Sequence, residues 1–499
     1  MSNDHDLYHI EGLNWAGLGI VKVNEKVRCV PLTKPSEQVR VRWHDAGWGR
    51  WIGERIDHEE VRIALDTQLD CEQARRCTGC SLRHLSTIEQ QEAQAQSHLG
   101  ALERLSLRTI SNVPFHWLKG AERSAYRVRV TARVWSKRAS VSLSTHPKEQ
   151  EPANAVSHFN DYLIALRSRW GDVIDLSKCP NHPQRLRNLV KACTRWINHN
   201  AHDLNLSQSI ENGLFHLARV SIQAGGGLPQ WLILHFEDFS HRGSLKASER
   251  KKRLEYARIL ISQLKFDELL NDHPTLTIYA DAKLQDQAQS SLSIRHIAGP
   301  GPKLWSCERG LPFVARPPAW LPQSPGTLES LRGIVARCLW GNLPNENRQS
   351  KDIQQKTSIF ELGCGIGVLG IALVLERPQL NWIGVDLEPE AIACAQESAV
   401  LNQVDEQVQF IAQDGRRALA ENSEVISHLI IHAMRRPLSG LLALAAHKQI
   451  KSICYLAPSA PSLARDLAED EAYHLDALYF IDQMPGTAQA MTIAQLHLK

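Results

Sequence analysis

A glycine-rich turn between two apolar segments is the feature that most restricts how this 499-residue chain can fold. The segment SIFELGCGIGVLGIALVLE predicts a buried strand ending at Glu361, a turn with three alternate glycines, and then a helix. The glycines are Gly363, Gly365 and Gly367. Such glycines let the backbone approach a ligand closely and leave amides at the helix N-terminus free to bind it. We therefore expect an α/β fold with a Rossmann-like domain in the C-terminal part of the chain.

Acidic residues follow the next two predicted strands. Asp386 closes the strand in NWIGVDLEPEAI, 19 residues after Gly367, where a carboxylate can accept hydrogen bonds from ribose hydroxyls. Asp414 follows the strand in VQFIAQDG, where it could reach an adenine amino group. An acidic residue followed by glycines at alternate positions differs from the Gly-x-Gly-x-x-Gly turn of nicotinamide enzymes and favours S-adenosylmethionine as the ligand. A nucleotide-type fold without any ligand is the alternative.

Composition and charge describe a globular protein with a basic N-terminal part. Hydrophobic residues make up 43% and charged residues 22% of the chain, and no apolar run reaches the ~20 residues of a membrane span. The N-terminal residues lack the basic and apolar regions of an export signal, so we expect a cytoplasmic monomer without a membrane partner. The first 300 residues carry a net charge of +7 and the remainder −4. This asymmetry favours a polyanionic partner, although an ordinary solvated surface has the same composition.

Four cysteines have the spacing of a metal site. Cys71, Cys77 and Cys80 lie in CEQARRCTGCS, and Cys179 precedes a proline in DLSKCPNHP. Three clustered thiolates and a distant fourth suit a [4Fe-4S] cluster, which needs four soft ligands that converge on one point. Four thiolates also suit zinc, and unrelated buried thiols are the remaining alternative. Eleven cysteines are too few for a disulfide scaffold of this size.

Two predicted strands combine an apolar face with a basic face. In the first sixty residues Val39 and Val41 alternate with arginines, which is typical of small basic β-barrels that bind RNA. From residue 126 the segment YRVRVTARVW repeats this alternation. A cationic sheet face beside the cysteines is a candidate track for RNA phosphates, with a solvated surface as the alternative. The candidate RNA-binding residues are Arg40, Arg42, Arg127, Arg129 and Arg133.

These features predict three domains. Residues 1–60 are expected to form a β-barrel, residues 61–300 a central mixed α+β domain that contains the cysteines, and residues 301–499 the Rossmann-like domain. The proline-rich stretch between residues 299 and 325 predicts the boundary before the last domain.

The chain resembles the RNA uracil-C5 methyltransferase family over nearly its whole length. The segment EGLNWAGLGIVKVNEKVRCVPL is similar to the family's OB-like TRAM barrel, and the four cysteines are similar to its [4Fe-4S] site. The segments ELGCGIGVLG, GVDLEPEAI and YLAPSAPSLARDL resemble its class I S-adenosylmethionine methyltransferase domain. A TRAM barrel and a cluster together are more similar to the ribosomal-RNA members than to the transfer-RNA members. The resemblance therefore implies binding of structured RNA, in particular ribosomal RNA.

The resemblance also implies which residues bind the cofactor. Gln323, Gly363, Asp386 and Asp414 fall where members of the family contact S-adenosylmethionine.

The residues that carry out the family's reaction are replaced in this chain. The family adds a Cys thiolate to uracil C6, methylates C5, and removes the C5 proton with a Glu base. Pro458 occupies the position of the thiol and Met491 that of the base. His432 stands where the family has the Asp of an Asp-Pro-Pro-Arg loop, and Cys454 is expected to be a buried core thiol.

Two functions remain open on these residues. One is an S-adenosylmethionine-dependent RNA methyltransferase with a changed target or mechanism, in which His432 could act as a base. The other is a catalytically inactive RNA-binding protein, such as a ribosome-assembly factor, in which His432 is a structural residue. The loss of both the thiol and the base argues against uracil-C5 methylation by the family's route and favours the second function.

Overall fold

The computed structural model describes residues 7–14, 16–45, 51–56, 71–74, 76–106, 110, 112–118, 120–122, 124–136, 162–167, 173–206, 215–225, 227–238, 245–284, 291–301, 303–306, 310–319, 324–341, 357–433 and 438–499. Within these ranges the chain forms three large sheets and one small hairpin. None of the helices in the described ranges is long and apolar enough to cross a membrane.

The N-terminal sheet has six strands in the order β1-β5-β6-β4-β3-β2. They are β1 (Leu7–His9), β2 (Gly12–Leu13), β3 (Gly19–Val23), β4 (Lys26–Val30), β5 (Gln38–Asp45) and β6 (Trp51–Arg55). Val39 and Val41 on β5 are buried, whereas Arg40 and Arg42 are exposed. The predicted alternation of an apolar and a basic face is therefore confirmed for this strand. That the sheet is a TRAM barrel remains a prediction.

A helix and a strand from the predicted central domain pack against the C-terminal domain instead. The sequence pattern from residue 86 to residue 105 predicts a helix, which helix α1 (Thr87–Ser106) confirms, and strand β7 (Phe115–Leu118) follows it. Strand β7 forms the outer edge of the C-terminal sheet, where Phe115 pairs with Leu478. The domain boundary at residue 301 remains a prediction. Strand β7 precedes that boundary in the sequence but belongs to the sheet of the C-terminal part.

The central sheet has seven strands in the order β10-β9-β8-β11-β12-β13-β14. All neighbouring strands are antiparallel except β12 and β13, which are parallel. Buried side chains of three helices complete the core on one face of the sheet. The elements are β8 (Arg129–Ser136), β9 (Tyr162–Arg167), β10 (Val173–Asp175), α2 (Gln184–His199), β11 (His216–Gly225), β12 (Leu228–Asp238), α3 (Ala247–Gln263), α4 (Asp267–Asp272), β13 (Thr277–Leu284) and β14 (Ser291–Ala298).

The C-terminal part begins with a hairpin and continues as alternating helices and strands. The hairpin strands are β15 (Lys303–Ser306) and β16 (Pro312–Ala315), which lie in the stretch expected to be a linker. The next elements are α5 (Leu328–Trp340), β17 (Thr357–Leu362), α6 (Val368–Glu376), β18 (Leu380–Asp386), α7 (Pro389–Leu401) and β19 (Val408–Ala412). The last elements are α8 (Gly415–Glu421), β20 (His428–His432), α9 (Leu441–His447), β21 (Ser452–Ala457), α10 (Ala460–Ala468), β22 (Tyr473–Ile481) and β23 (Met491–Leu498).

The C-terminal sheet has the order β19-β18-β17-β20-β21-β23-β22-β7. Strands β17 to β21 are parallel, and β23 is antiparallel to both of its neighbours. Apolar clusters fill both faces, as a buried parallel sheet requires. The Rossmann-like α/β fold predicted from the glycine turn is confirmed. The strand order reverses between β17 and β20, and a ligand of such a sheet binds at the carboxyl ends of the strands at that point.

Candidate functional site

The glycine turn after β17 has the backbone that the sequence predicts. All three glycines have left-handed φ angles, +77° at Gly363, +56° at Gly365 and +77° at Gly367. A Cβ at Gly367 would come within 2.6 Å of the Phe410 ring, so the turn packs tightly against β19. A Cβ at Gly365 would meet nothing within 4 Å. The turn is therefore packed on one side and open at Gly365, where a ligand has room to approach the backbone.

Asp386 is fixed at the end of β18 by this turn. One of its carboxylate oxygens accepts a hydrogen bond from the Gly365 backbone amide at 2.9 Å, and the other accepts one from the Glu388 amide at 3.0 Å. The carboxylate is only partly buried, so its remaining lone pairs can accept hydrogen bonds from a ligand. The next residue, Leu387, is an apolar side chain that is 74% exposed, and it was not predicted as part of the site.

Asp414 lies at the end of the third strand of this half of the sheet, in the position expected for it. Its carboxylate caps helix α8 by accepting a hydrogen bond from the Arg417 amide at 3.0 Å. The side chain is exposed, and one carboxylate oxygen is not used by the cap. Gln323, the remaining predicted cofactor residue, lies outside the described residues.

Glu361 forms a buried contact that the sequence did not predict. Strand β17 extends one residue beyond Glu361. The Glu361 side chain is buried against the sheet and is only 1% exposed. One carboxylate oxygen accepts a hydrogen bond from Trp382 Nε1 at 2.9 Å. The other, Oε1, lies 2.9 Å from His432 Nε2 at the end of β20. The angle is not that of a hydrogen bond, and neither atom has a hydrogen-bond partner among the described residues.

The positions of the family's thiol and base are neighbours in space. Pro458 directly follows β21 and Met491 begins β23, and the two strands pair through Ala457 and Thr492. Neither Pro458 nor Met491 has a side chain that can act as a nucleophile or as a base. Cys454 does not substitute for them, because it is fully buried, and burial raises the pKa of its thiol well above the usual value.

The four predicted metal ligands lie near one another. All four thiols are reduced and half-buried. Burial, and to a smaller extent the charges of Cys80, Cys71 and Cys77, raise the pKa of the Cys179 thiol to about 11. Within the described ranges, however, no three His, Cys, Asp or Glu side chains form a group that could hold a metal ion. The four thiols have the donor chemistry of an iron–sulfur cluster, and the cluster itself remains a prediction.

Two buried polar residues connect these cysteines to the C-terminal domain. The Asn181 amide donates a hydrogen bond to the Cys80 sulfur at 3.1 Å and accepts one from the buried Arg83 guanidinium. Two residues after Cys80, the backbone amide of Leu82 donates a hydrogen bond to the Gly486 carbonyl at 2.8 Å. The cysteine segment therefore supports the loop that leads into β23.

The candidate RNA-binding arginines lie on two sheets. Arg40 and Arg42 are exposed on β5. On or just before β8, Arg133 is exposed, whereas Arg127 and Arg129 are partly buried. Burial, with a contribution from the charge of Arg127, lowers the pKa of Arg129.

A cation–aromatic cluster lies on the N-terminal sheet, where the sequence offers several tryptophans that could stack on bases. The Arg28 guanidinium lies 5.0 Å from the centroids of both the Trp43 and the Trp51 rings. Trp51 is one of the few large apolar side chains that are well exposed. Aromatic and guanidinium planes together are a common platform for unpaired bases.

A row of polar side chains crosses the central sheet. His235 contacts Ser221 Oγ with Nε2 at 2.8 Å and Asp281 with Nδ1 at 2.9 Å. The Ser221 hydroxyl is also 2.8 Å from the Thr131 hydroxyl, and Ser221 is only 7% exposed. The row links strands β8, β11, β12 and β13, and the buried Ser221 hydroxyl has a structural role in it rather than that of a nucleophile.

Comparisons with known proteins agree with this geometry. Residues 337–430 match the model of the methyltransferase small domain, and this range includes the glycine turn, Asp386 and Asp414. The chain is 23% identical over 333 residues to the 23S rRNA (uracil(747)-C(5))-methyltransferase RlmC of Escherichia coli O7:K1. The match covers 65% of this chain and 78% of that relative. RlmC of Escherichia coli O1:K1 matches with the same identity and coverage.

Two solved structures are similar to parts of the chain. Trm5 of Methanocaldococcus jannaschii in complex with adenosine is 13% identical, with a TM-score of 0.32 over 59% of this chain and 78% of that one. TrmK of M. capricolum in complex with S-adenosylhomocysteine is 15% identical, with a TM-score of 0.25 over 29% of this chain and 63% of that one. The strand order makes the C-terminal part of this chain a Rossmann-like domain, and residues 337–430 within it match the methyltransferase small domain.

Proposed function

We propose that this protein is an S-adenosylmethionine-dependent methyltransferase that acts on structured RNA, in particular ribosomal RNA. The observation that carries the proposal is the glycine turn, which is open at Gly365 and holds the Asp386 carboxylate at the topological switch point of the sheet. The sequence similarity to RlmC, whose name gives 23S rRNA as its substrate, supports RNA as the target.

The cofactor would lie across the carboxyl ends of β17, β18 and β19. The backbone at Gly363, Gly365 and Gly367 would contact its amino-acid part, and Asp386 would accept hydrogen bonds from its ribose hydroxyls. The exposed Leu387 side chain would cover one face of the adenine. S-adenosylmethionine supplies an electrophilic methyl group on a sulfonium centre.

Gln323 and Asp414 would complete the cofactor site. The unused oxygen of Asp414 would accept a hydrogen bond from the adenine amino group. Gln323 is proposed only from the resemblance of its segment to the family.

The uracil-C5 mechanism of the family does not fit this chain. The covalent route needs a thiol and a base on one side of the uracil ring, and Pro458 and Met491 supply neither. A direct transfer to a nitrogen or oxygen atom needs no covalent nucleophile, only a positioned substrate and a route for its proton. We therefore propose direct transfer as the reaction.

The N-terminal and central sheets would hold the RNA. Arg40, Arg42 and Arg133 are exposed cations that can contact phosphates, with Arg127 and Arg129 beside them. The N-terminal sheet would act as a TRAM-type RNA-binding barrel. The protein would work as a cytoplasmic monomer.

A [4Fe-4S] cluster on Cys71, Cys77, Cys80 and Cys179 is part of the proposal, with zinc as the alternative. Four cysteine thiolates are the usual ligands of such a cluster. The buried Arg83 cation and the Asn181 amide next to Cys80 would stabilise the negative charge of a thiolate-bound cluster. The cluster would have a structural role, because it would fix the loop between β22 and β23.

The decisive experiment is a calorimetric titration of the anaerobically purified protein with S-adenosylmethionine, followed by a labelled-methyl transfer assay on total ribosomal RNA. Binding together with transfer is the expected result. Binding without transfer, or no binding at all, would contradict an enzymatic function.

A non-catalytic RNA-binding protein, such as a ribosome-assembly factor, is the second candidate. The side-by-side placement of Pro458 and Met491 favours it, because both positions that carry the family's chemistry are inert. This candidate predicts RNA binding with the same affinity in the presence and absence of S-adenosylmethionine.

A further inference from the structure

We infer that His432, held in place by Glu361, is the base that accepts a proton from the RNA atom that receives the methyl group. That atom is therefore a nitrogen that carries hydrogen or a hydroxyl oxygen, and not uracil C5. The inference rests on the proposed methyltransferase function and names the substrate class of the same site.

The first step of the argument is the position of His432. It ends β20, the strand that adjoins β17 at the switch point of the sheet. A Cβ on Gly363 would come within 3.0 Å of the His432 carbonyl oxygen and 3.1 Å of its Cβ. The histidine is thus the immediate neighbour of the glycine turn, on the side that faces the reaction positions rather than Asp386.

The second step is the orientation of the imidazole. Glu361 pairs in register with Ile430, two residues before His432, so both side chains lie on the same face of the sheet. Trp382 Nε1 holds one oxygen of the buried carboxylate, and the other lies 2.9 Å from His432 Nε2. The His432 side chain is 25% exposed, whereas its Nε2 is buried against the carboxylate, so the rest of the ring is open to solvent. A carboxylate in contact with one ring nitrogen fixes the orientation of the ring.

The third step is the lack of a better base at this edge within the described residues. Pro458 and Met491 cannot titrate. Both oxygens of Asp386 accept backbone hydrogen bonds, and this carboxylate lies on the other side of the turn. The Cys364 thiol in the turn is buried, and burial followed by the charges of Glu361 and Asp386 raises its pKa well above the usual value. Among the described residues, Glu361 is the carboxylate in contact with His432.

The fourth step is the chemistry. The attacking RNA atom loses its proton to the free ring nitrogen of His432, and its electron pair forms the new bond to the methyl carbon. The bond between that carbon and sulfur breaks, and its electron pair remains on sulfur, which becomes a neutral thioether. The positive charge leaves the sulfonium and ends on the imidazolium, which the Glu361 carboxylate stabilises. No covalent link between protein and RNA is needed, so the reaction does not require a thiol at position 458.

The test uses the full-length protein, S-adenosylmethionine with a labelled methyl group, and ribosomal RNA that lacks modifications. Nucleoside mass spectrometry identifies the methylated atom, which is expected to be nitrogen or oxygen. His432→Ala is expected to lower the transfer rate roughly 100-fold or more, the usual contribution of a general base. Calorimetry on the same variant is expected to show an affinity for S-adenosylmethionine within about threefold of wild type, because the base acts in the transfer step and not in cofactor binding.

Glu361→Gln tests the positioning role by a readout other than activity. Nuclear magnetic resonance of labelled histidine reports the surroundings of the His432 ring, and its ring signals are expected to shift and broaden in Glu361→Gln because the ring loses the contact that fixes its orientation. His432→Asn, which keeps a polar side chain, serves as the control for misfolding, and its melting temperature should match that of wild type.

Several outcomes overturn the inference. These are a C5-methylated uridine as the product, full transfer activity in His432→Ala, or unchanged His432 ring signals in Glu361→Gln. A wild-type protein that transfers no methyl group to any RNA defeats the proposed function itself, and the inference with it. Transfer that survives the loss of His432 defeats only the inference.

Discussion

The two sides of the crevice in the C-terminal sheet differ in how they are built. On the side of β17, β18 and β19, the site combines a backbone turn of three left-handed glycines with two carboxylates, Asp386 and Asp414, that backbone amides hold. On the side of β20, β21 and β23, the proposed chemistry depends on single side chains, those of His432, Pro458 and Met491. A turn and carboxylates held by backbone hydrogen bonds tolerate changes in many surrounding side chains, whereas a reaction that depends on one side chain is lost with one substitution.

The two sides also differ in what supports them. Among the described residues, the neighbours given for the glycine turn, Phe410, His432 and Asp386, all belong to the C-terminal part of the chain. The loop before β23, in contrast, is held by helix α1: Gln94 donates to the Thr487 carbonyl at 2.7 Å, and His98 lies 3.1 Å from the Ala488 carbonyl. The reaction side thus depends on residues nearly four hundred positions away in the sequence.

The largest effect is expected from the cysteine segment, which supports the reaction side. Cys77→Ser should abolish the visible absorption and the bound iron of the anaerobically purified protein, because a [4Fe-4S] cluster needs all four ligands. Cys29→Ser is the matched control, since Cys29 is another half-buried thiol but lies in the N-terminal sheet. Absorption spectroscopy and metal analysis provide the measurement. A colourless wild-type protein that contains zinc would refute the iron–sulfur assignment.

A second prediction concerns Asp482, at the start of the loop before β23. Burial raises the pKa of this carboxyl to about 6, from an ordinary value of 3.8. The folded state therefore binds more protons than the unfolded state between these two values, and the resulting stabilisation is lost as the pH rises through about 6. Asp482→Asn removes this titration, so its stability relative to wild type should increase by about 3 kcal/mol between pH 3.5 and pH 7.

Urea unfolding at both pH values measures this difference. Because only the difference between variant and wild type is compared, the titration of other groups cancels. A difference that does not change with pH would mean that Asp482 is not shielded from water and that the loop is held less tightly than its contacts indicate.

A third prediction concerns the cofactor side. Gly365→Val should lower the affinity for S-adenosylmethionine by roughly 100-fold, because the side chain would occupy the open space in which a ligand lies. Gly301→Val is the matched control, since Gly301 has a similar positive φ and open surroundings outside the crevice. Calorimetry gives the affinities, and thermal melting corrects for backbone strain. Equal affinities in both variants would show that the ligand does not lie against Gly365.

The smallest effect is expected on RNA binding by the arginines of the central sheet. Arg127→Ala combined with Arg129→Ala should reduce the slope of log affinity against log salt by about 1.5, because two phosphate contacts are lost. The control is Arg195→Ala combined with Arg258→Ala, two exposed arginines on the helices of the same domain. Filter binding at several salt concentrations gives the slope. An unchanged slope would exclude this strand as the phosphate track.

The sequence was sufficient where local residues decide the structure. The glycine turn requires positive φ angles that only glycine adopts freely, so its residues, Asp386 and Asp414 were located correctly from their spacing. The alternation on β5 and the helix over residues 87–106 are equally local. In each case, neighbouring residues carry both the signal and the structure.

The sequence was insufficient where distant segments meet. Glu361 was expected at the end of its strand, but β17 continues for one more residue, and its pairing with β20 brings Glu361 to His432. Nothing in either segment alone indicates that contact. The same holds for Gln94 and Thr487, and for Ser221 and His235, which meet only after their sheets have formed.

The pairing of β7 with β22 has a consequence for how the chain acquires its fold. Phe115 and Leu478 become neighbours although more than 360 residues separate them, so the entropy of closing a very long loop opposes this pairing. During synthesis, β7 leaves the ribosome long before its partner exists and has to wait for the end of the chain. A fragment that starts at residue 301 would expose the edge of β22, a ready template for aggregation. The C-terminal part of this protein should therefore be difficult to produce without its N-terminal part.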